Sequence, residues 1–134
     1  MTATLVDSNV LLDLLTEDPA WQAWSADAVA TAADAGPLLI NPIIYAEVSV
    51  RFTRIEDLDT ALSPNDFHRT PLPWSAAFLA GKAFTRYRRA GGSHTTTLPD
   101  FFIGAHAAIA DLTLLTRDAA RYRTFFPTVR LVAP

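Results

Sequence analysis

Short apolar runs separated by long stretches of helical periodicity constrain this chain more than any other feature. Leu5-Val6, Leu38-Leu39-Ile40 and Leu112 to Thr116 read as buried strands, and Val129 to Val132 as another. Between them the spacing turns helical. Val10/Leu14 and Leu11/Leu15 pair at i,i+4 over Ser8 to Leu15, and Phe78, Leu79, Ala83 and Phe84 form one face of Trp74 to Ala90. Further helices are expected from Pro19 to about Ala33, from Asn41-Pro42 to about Thr53, and over Ile55 to Leu62. Phe67 to Leu72 remains ambiguous, with a short strand as one option. Strands that are apolar throughout must be covered on both faces, and their alternation with helices indicates a parallel sheet. The expected class is α/β, a three-layer α/β/α arrangement in a single domain spanning 1–134.

Composition narrows the function. With 50% hydrophobic and 19% charged residues, the chain of 134 residues belongs with globular domains that bury a real core. The absence of cysteine excludes disulfides, thiolate zinc sites and cysteine nucleophiles. The N-terminus lacks the pattern of a signal peptide, and no apolar run reaches the length of a membrane span, so a cytoplasmic location and no membrane partner are expected. A net charge of −3 argues against a general nucleic-acid coat protein but not against a nuclease, whose acidic site would be reversed in sign by bound metal.

Four carboxylates stand where a structural reason is hard to find. Asp7 ends the first strand, Glu47 lies on an apolar helical stripe with Ile43, Ile44 and Val50, Asp100 opens a helix, and Asp118 closes a strand. In open parallel sheets ligands bind outside the carboxyl ends of the strands, and topology sends these acids to that rim. Each has a bland explanation: a helix cap for Asp7, a dipole partner for Asp100, a distant ion pair for Glu47, a turn cap for Asp118. All four being structural is a different matter. Carboxylates ~4 Å apart would repel by ~4 kcal/mol per pair at an effective dielectric near 20, so a cation is expected among them. Nearby basic residues are scarce in those windows, which favours a divalent metal. Asp13, Asp34, Asp57, Asp59 and Asp111 read as solvated or capping acids.

Leu5-Val6-Asp7-Ser8-Asn9-Val10-Leu11-Leu12, Ile40-Asn41-Pro42-Ile43-Ile44-Tyr45-Ala46-Glu47-Val48, Leu98-Pro99-Asp100-Phe101-Phe102-Ile103-Gly104-Ala105-His106-Ala107 and Leu114-Leu115-Thr116-Arg117-Asp118, followed by Tyr122 and Phe125-Phe126, occur in that order. Together they resemble the four motifs of PIN-domain ribonucleases, specifically the VapC-type toxins of toxin–antitoxin pairs. The resemblance covers essentially the whole chain. It implies Mg²⁺, with Mn²⁺ as an option, and endonucleolytic cleavage of structured RNA such as tRNA or rRNA. It also implies a small inhibitory antitoxin and a homodimer or toxin–antitoxin hetero-oligomer. On this reading Asp7, Glu47, Asp100 and Asp118 are catalytic and metal-holding, Asp7 and Asp100 being the principal ligands. Asn9 and Thr116 orient a carboxylate or a water, and a metal-activated water attacks phosphorus in line.

Arg86, Arg88 and Arg89, with Lys82, make the densest basic patch and lead toward Asp100; together with Arg117 they are the candidates for RNA contact. His94 lies in the polar loop of that region, whereas His106 reads as a packed helix residue. Trp21 and Trp24 read as core or partner-groove residues, and Phe52 and Ile55 as candidates for an antitoxin groove. A receiver-type phosphoacceptor domain would place a second acid beside Asp7 and a lysine after a late strand, yet Lys82 sits in a helix. An aspartyl-nucleophile phosphatase expects an aspartate where Asn9 stands. The alternative left open is a PIN-fold RNA- or protein-binding module with little or no nuclease activity.

Overall fold

Strand β1 (Thr4–Val6) is the centre of the molecule because its three side chains are all buried. A computed structural model describes residues 2–92 and 97–134. In it β1 pairs in parallel with β2 (Leu38–Ile40) on one side and β4 (Thr113–Leu115) on the other, so that Leu5 lies level with both Leu39 and Leu114. The edges are β3 (His68–Arg69) beside β2 and β5 (Leu131–Val132) beside β4, giving an all-parallel order β3-β2-β1-β4-β5 among the described residues. The expected α/β class with a parallel sheet is the architecture found. The ambiguous segment at Phe67 to Leu72 supplies the short edge strand β3.

The helices are α1 (Ser8–Leu15), α2 (Gln22–Ala35), α3 (Pro42–Ser49), α4 (Ile55–Ala61), α5 (Trp74–Arg89), α6 (Leu98–Ile109) and α7 (Ala120–Arg123). The chain runs outward from β1 through β2 to β3, then back across the sheet to β4, and parallel crossovers of the usual right hand turn opposite ways in the two directions. The two directions place helices on opposite faces and create a switch point between β1 and β4, where a crevice opens at the strands' carboxyl ends. On one side α5 packs along α6 through an aromatic cluster centred on Phe101, whose ring meets Phe84, Tyr87, Phe125 and Phe126.

Three expectations are corrected. Helix α2 begins at Gln22 rather than Pro19, because Asp18 Oδ1 accepts from the backbone N–H groups of Ala20 and Trp21 and holds the intervening residues in a turn. Helix α3 stops at Ser49 rather than Thr53. Ser49 Oγ donates to the Ala46 carbonyl, and the amides of Arg51 and Phe52 close tighter turns onto Val48 and Ser49. Asp13 is not solvated. It is buried on α1, where Ser25 Oγ donates to it at 2.8 Å and Arg117 donates two hydrogen bonds, from Nε at 2.9 Å and Nη2 at 3.0 Å. That trio ties α1 to α2 and to the segment after β4. Among the described residues, no helix is long and apolar enough to cross a membrane.

Candidate functional site

Asp7 leaves β1 in extended conformation and becomes the N-cap of α1, its Oδ1 accepting from the Ser8 amide at 2.7 Å. The opposite oxygen, Oδ2, accepts from Thr116 Oγ1 at 2.9 Å across the switch point and from Tyr122 Oη at 2.7 Å. Asn9 Nδ2 reaches the same oxygen at 3.5 Å and Thr116 at 3.3 Å, while Asn9 Oδ1 accepts from the Arg117 amide. Asn9 and Thr116 therefore both sit against Asp7. Burial pushes the Asp7 carboxyl above its ordinary pKa, outweighing the hydrogen bonds from Tyr122, Thr116 and Ser8, and Asp100 adds a smaller push in the same direction.

Glu47 projects from the second turn of α3, half-buried, and accepts from Ser8 Oγ at 3.0 Å. Ser8 thus joins the first and second acids through one hydroxyl. The Glu47 pKa is also raised, first by burial, then by the charges of Asp7 and Asp100. Asp100 is the third residue of α6 and only 5% exposed. Its Oδ2 accepts from the Thr97 amide at 3.0 Å and from Thr97 Oγ1 at 3.2 Å, in capping-box fashion. Thr97 is the cap and Leu98 the first residue of α6, so Pro99 occupies the second helical position, where its missing N–H costs no helical hydrogen bond.

The scarcity of cations inferred from the sequence does not hold in space. Arg121, on the short helix α7, donates from Nη1 to Asp100 Oδ1 at 3.2 Å and pairs through Nε with Asp118 Oδ2 at 2.7 Å. Burial works against the Arg121 charge, but the fields of Asp100 and Asp118 exceed it and raise its pKa. Asp118 is partly open, at 41% side-chain exposure, and its amide donates to Thr116 Oγ1.

The structure thus brings Asp7, Glu47, Asp100, Asn9 and Thr116 to one rim, with Asp118 attached through Arg121. Three participants were not singled out from the sequence: Ser8 as the bridge, Tyr122 as a buried donor, and Arg121 as the counter-ion. Only the i,i+3 spacing of Asp118 and Arg121 signalled the last. Tyr122 is fully buried, and burial together with the neighbouring Asp7 charge lifts its pKa well above 10.0, so it remains a donor. The Arg117 guanidinium is engaged with Asp13 and stands over the Trp21 ring. Arg86, Arg88 and Arg89 are exposed on the last turn of α5, and no ion pair joins them to an acid among the described residues. His94 lies outside the described residues. His106 is buried as expected, with Nδ1 2.9 Å from Asn41 Nδ2.

Among the described residues no group of three or more Asp, Glu, His or Cys side chains is arranged to hold a metal ion. The donor chemistry nevertheless fits one. Carboxylate, hydroxyl and amide oxygens converge without a soft ligand among them, the set that Mg²⁺ and Mn²⁺ accept. The cationic place between Asp100 and Asp118 is taken by Arg121 instead.

Solved structures share this architecture. A chain of VapBC2 from Rickettsia felis, bound to a DNA fragment from their promoter, superposes with a TM-score of 0.75 at 16% identity, covering 98% of both chains. A chain of VapBC-1 from nontypeable Haemophilus influenzae gives the same TM-score, identity and coverage. One from a toxin–antitoxin complex of Klebsiella pneumoniae gives 0.63 at 22% identity, covering 96% of this chain and 95% of that one. No curated protein matches the sequence significantly. The PIN domain family model matches residues 4–125, from the first strand to Phe125 just after α7, and this chain therefore belongs to the PIN-domain family.

Proposed function

We propose that this protein is a divalent-metal-dependent endoribonuclease toxin of the VapC type, acting on structured RNA such as tRNA or rRNA and held in check by a small cognate antitoxin in the cytoplasm. One observation carries the reading. Asp7, Glu47 and Asp100 come from three elements far apart in sequence, yet they influence one another at a single rim, and Ser8 binds two of them. Nothing in the packing of a small domain requires that concentration of buried negative charge.

Asp7, Glu47 and Asp100 would hold the ion. When bound, magnesium or manganese supplies positive charge to the scissile phosphate and makes a water easier to deprotonate. The chain's own residues do the rest. Thr116, Tyr122 and Ser8 fix Asp7 in one orientation, so its oxygens need no reorganisation when substrate arrives. Glu47, the more open of the two acids with raised pKa, takes the proton of the attacking water. Water oxygen bonds to phosphorus, the ribose oxygen leaves on the opposite side, and it recovers a proton from solvent. Arg86, Arg88 and Arg89 bind backbone phosphates flanking the cut.

Partner binding is supported by Phe52 and Ile55. They line a surface groove of about 270 Å³ with Tyr45, Thr53 and Leu58, suited to the apolar face of an antitoxin helix. The structural relatives named above come from toxin–antitoxin complexes.

The test is incubation of purified, partner-free protein with total tRNA and rRNA, with Mg²⁺ or Mn²⁺ and with EDTA, beside Asp100→Asn. Discrete products that need both metal and Asp100 are expected. Absence of cleavage by folded protein under every metal condition would favour the binding-module alternative.

A further inference from the structure

Asp100 has only one carboxylate oxygen to offer. Its Oδ2 is taken by the Thr97 amide and hydroxyl at the start of α6, and Oδ1 is held by Arg121 Nη1 at 3.2 Å. Arg121 in turn has a second and shorter partner, Asp118 Oδ2, at 2.7 Å through Nε. The guanidinium side chain is 39% exposed and sits on a helix of four residues, so it can move without disturbing the core.

From this geometry we infer that Arg121 is a resident counter-ion of the acid cluster: an incoming divalent cation displaces it from Asp100, and Asp118 serves as the anchor that retains Arg121 rather than as a ligand of the ion. The inference rests on the metal-dependent reading above and adds regulation to it. Without metal, Arg121 offsets part of the cluster's charge and Asp100 is closed to solutes. With metal, Asp100 Oδ1 changes partner while Arg121 stays nearby on Asp118, leaving its Nη1 free to meet a phosphate. The exchange also divides four similar acids into two kinds. Asp7 and Glu47 meet at Ser8 and feel the charge of the buried Asp100, whereas Asp118 is 41% exposed and holds the guanidinium through Nε.

A double-mutant cycle read by calorimetric titration of Mn²⁺, with no RNA present, tests this. Four proteins are compared: the unmodified chain, Arg121→Gln, Asp118→Asn and the double variant, each shown folded by circular dichroism. Arg121→Gln is expected to bind Mn²⁺ about fivefold more tightly, the worth of one partly exposed ion pair. Asp118→Asn is expected to weaken binding when Arg121 is present, since the displaced guanidinium then has no second partner, and to have no effect in the Arg121→Gln background. Should Arg121→Gln fail to fold, Arg121→Lys takes its place, with a smaller gain because a point charge spans the two acids less well. Unchanged or weaker binding by the Arg121 variant overturns the inference while leaving the metal reading intact. An equal loss from Asp118→Asn in both backgrounds makes Asp118 a ligand and overturns its role as anchor. If none of the four binds Mn²⁺, the metal-dependent reading itself falls, and the inference with it.

Discussion

At the scale of single residues, the site is built from side chains that serve two masters. Tyr122 donates to Asp7 Oδ2 from a fully buried ring, so Tyr122→Phe removes a charge-directed hydrogen bond and leaves a buried acceptor short of a partner. A decrease of about 2 kcal/mol is expected by urea denaturation, with cleavage also reduced because Asp7 is oriented by one donor fewer. His106 responds to pH. Asn41 Oδ1 accepts from the Ile44 amide, so its Nδ2 must donate to His106 Nδ1, and the ring has to be neutral there. Burial lowers the His106 pKa from 6.5. The unfolded chain therefore binds the extra proton first, and stability falls as pH drops below about 6.5 and is fully present above it. His106→Gln, which keeps an acceptor for Asn41, should flatten that acid limb in denaturant midpoints measured between pH 5 and 8. Asp7 and Glu47 act with the opposite sign. Their raised folded pKa values mean stability is lost as pH climbs above 3.8 and 4.5, and Asp7→Asn should remove part of that slope in EDTA.

Among elements, α6 is the most constrained. Gly104 faces the Phe126 ring so closely that an added methyl would enter it. Gly104→Ala should therefore destabilise by about 1–3 kcal/mol in thermal or chemical unfolding, despite the better helix propensity of alanine. The elements also show how far the sequence could be read. The span of α1, the strands β1 and β2 and the near-full extent of α5 follow from apolar periodicity and local caps, signals carried within a few neighbouring residues. The acids were legible for the same reason: each is anomalous against its own stripe. What stayed hidden depends on side chains meeting across the chain. Asp13 looks solvated until Arg117, separated from it by 104 residues, closes on it. Tyr122 bonds Asp7 over a separation of 115. Neither pairing has a local spacing to betray it, whereas Asp18 diverting the start of α2 is short-range turn chemistry that propensity alone overlooks.

For the molecule as a whole, charge is segregated. The net charge is −3, yet α5 holds Lys82, Arg86, Arg88 and Arg89 and no acid. On the proposed function, the exposed basic end of α5 is the part of this surface that would meet the phosphates of RNA. Replacing Arg86, Arg88 and Arg89 together by Gln should weaken RNA binding across sequences. In fluorescence anisotropy with EDTA present, the slope of log K against log[salt] should become shallower by about 0.7 for each phosphate that the protein no longer neutralises. The fold should be unaffected, because these side chains lie at the surface. Asp7, by contrast, belongs to the fold and the site at once. It caps α1, bridges β1 to the segment after β4, and anchors Tyr122. Over evolutionary time that overlap would restrict how a lineage can abandon the proposed nuclease chemistry. A descendant that no longer cuts RNA must still present a hydrogen-bond acceptor at position 7, so its decay would pass through asparagine more readily than alanine, and a degenerate copy would carry that trace.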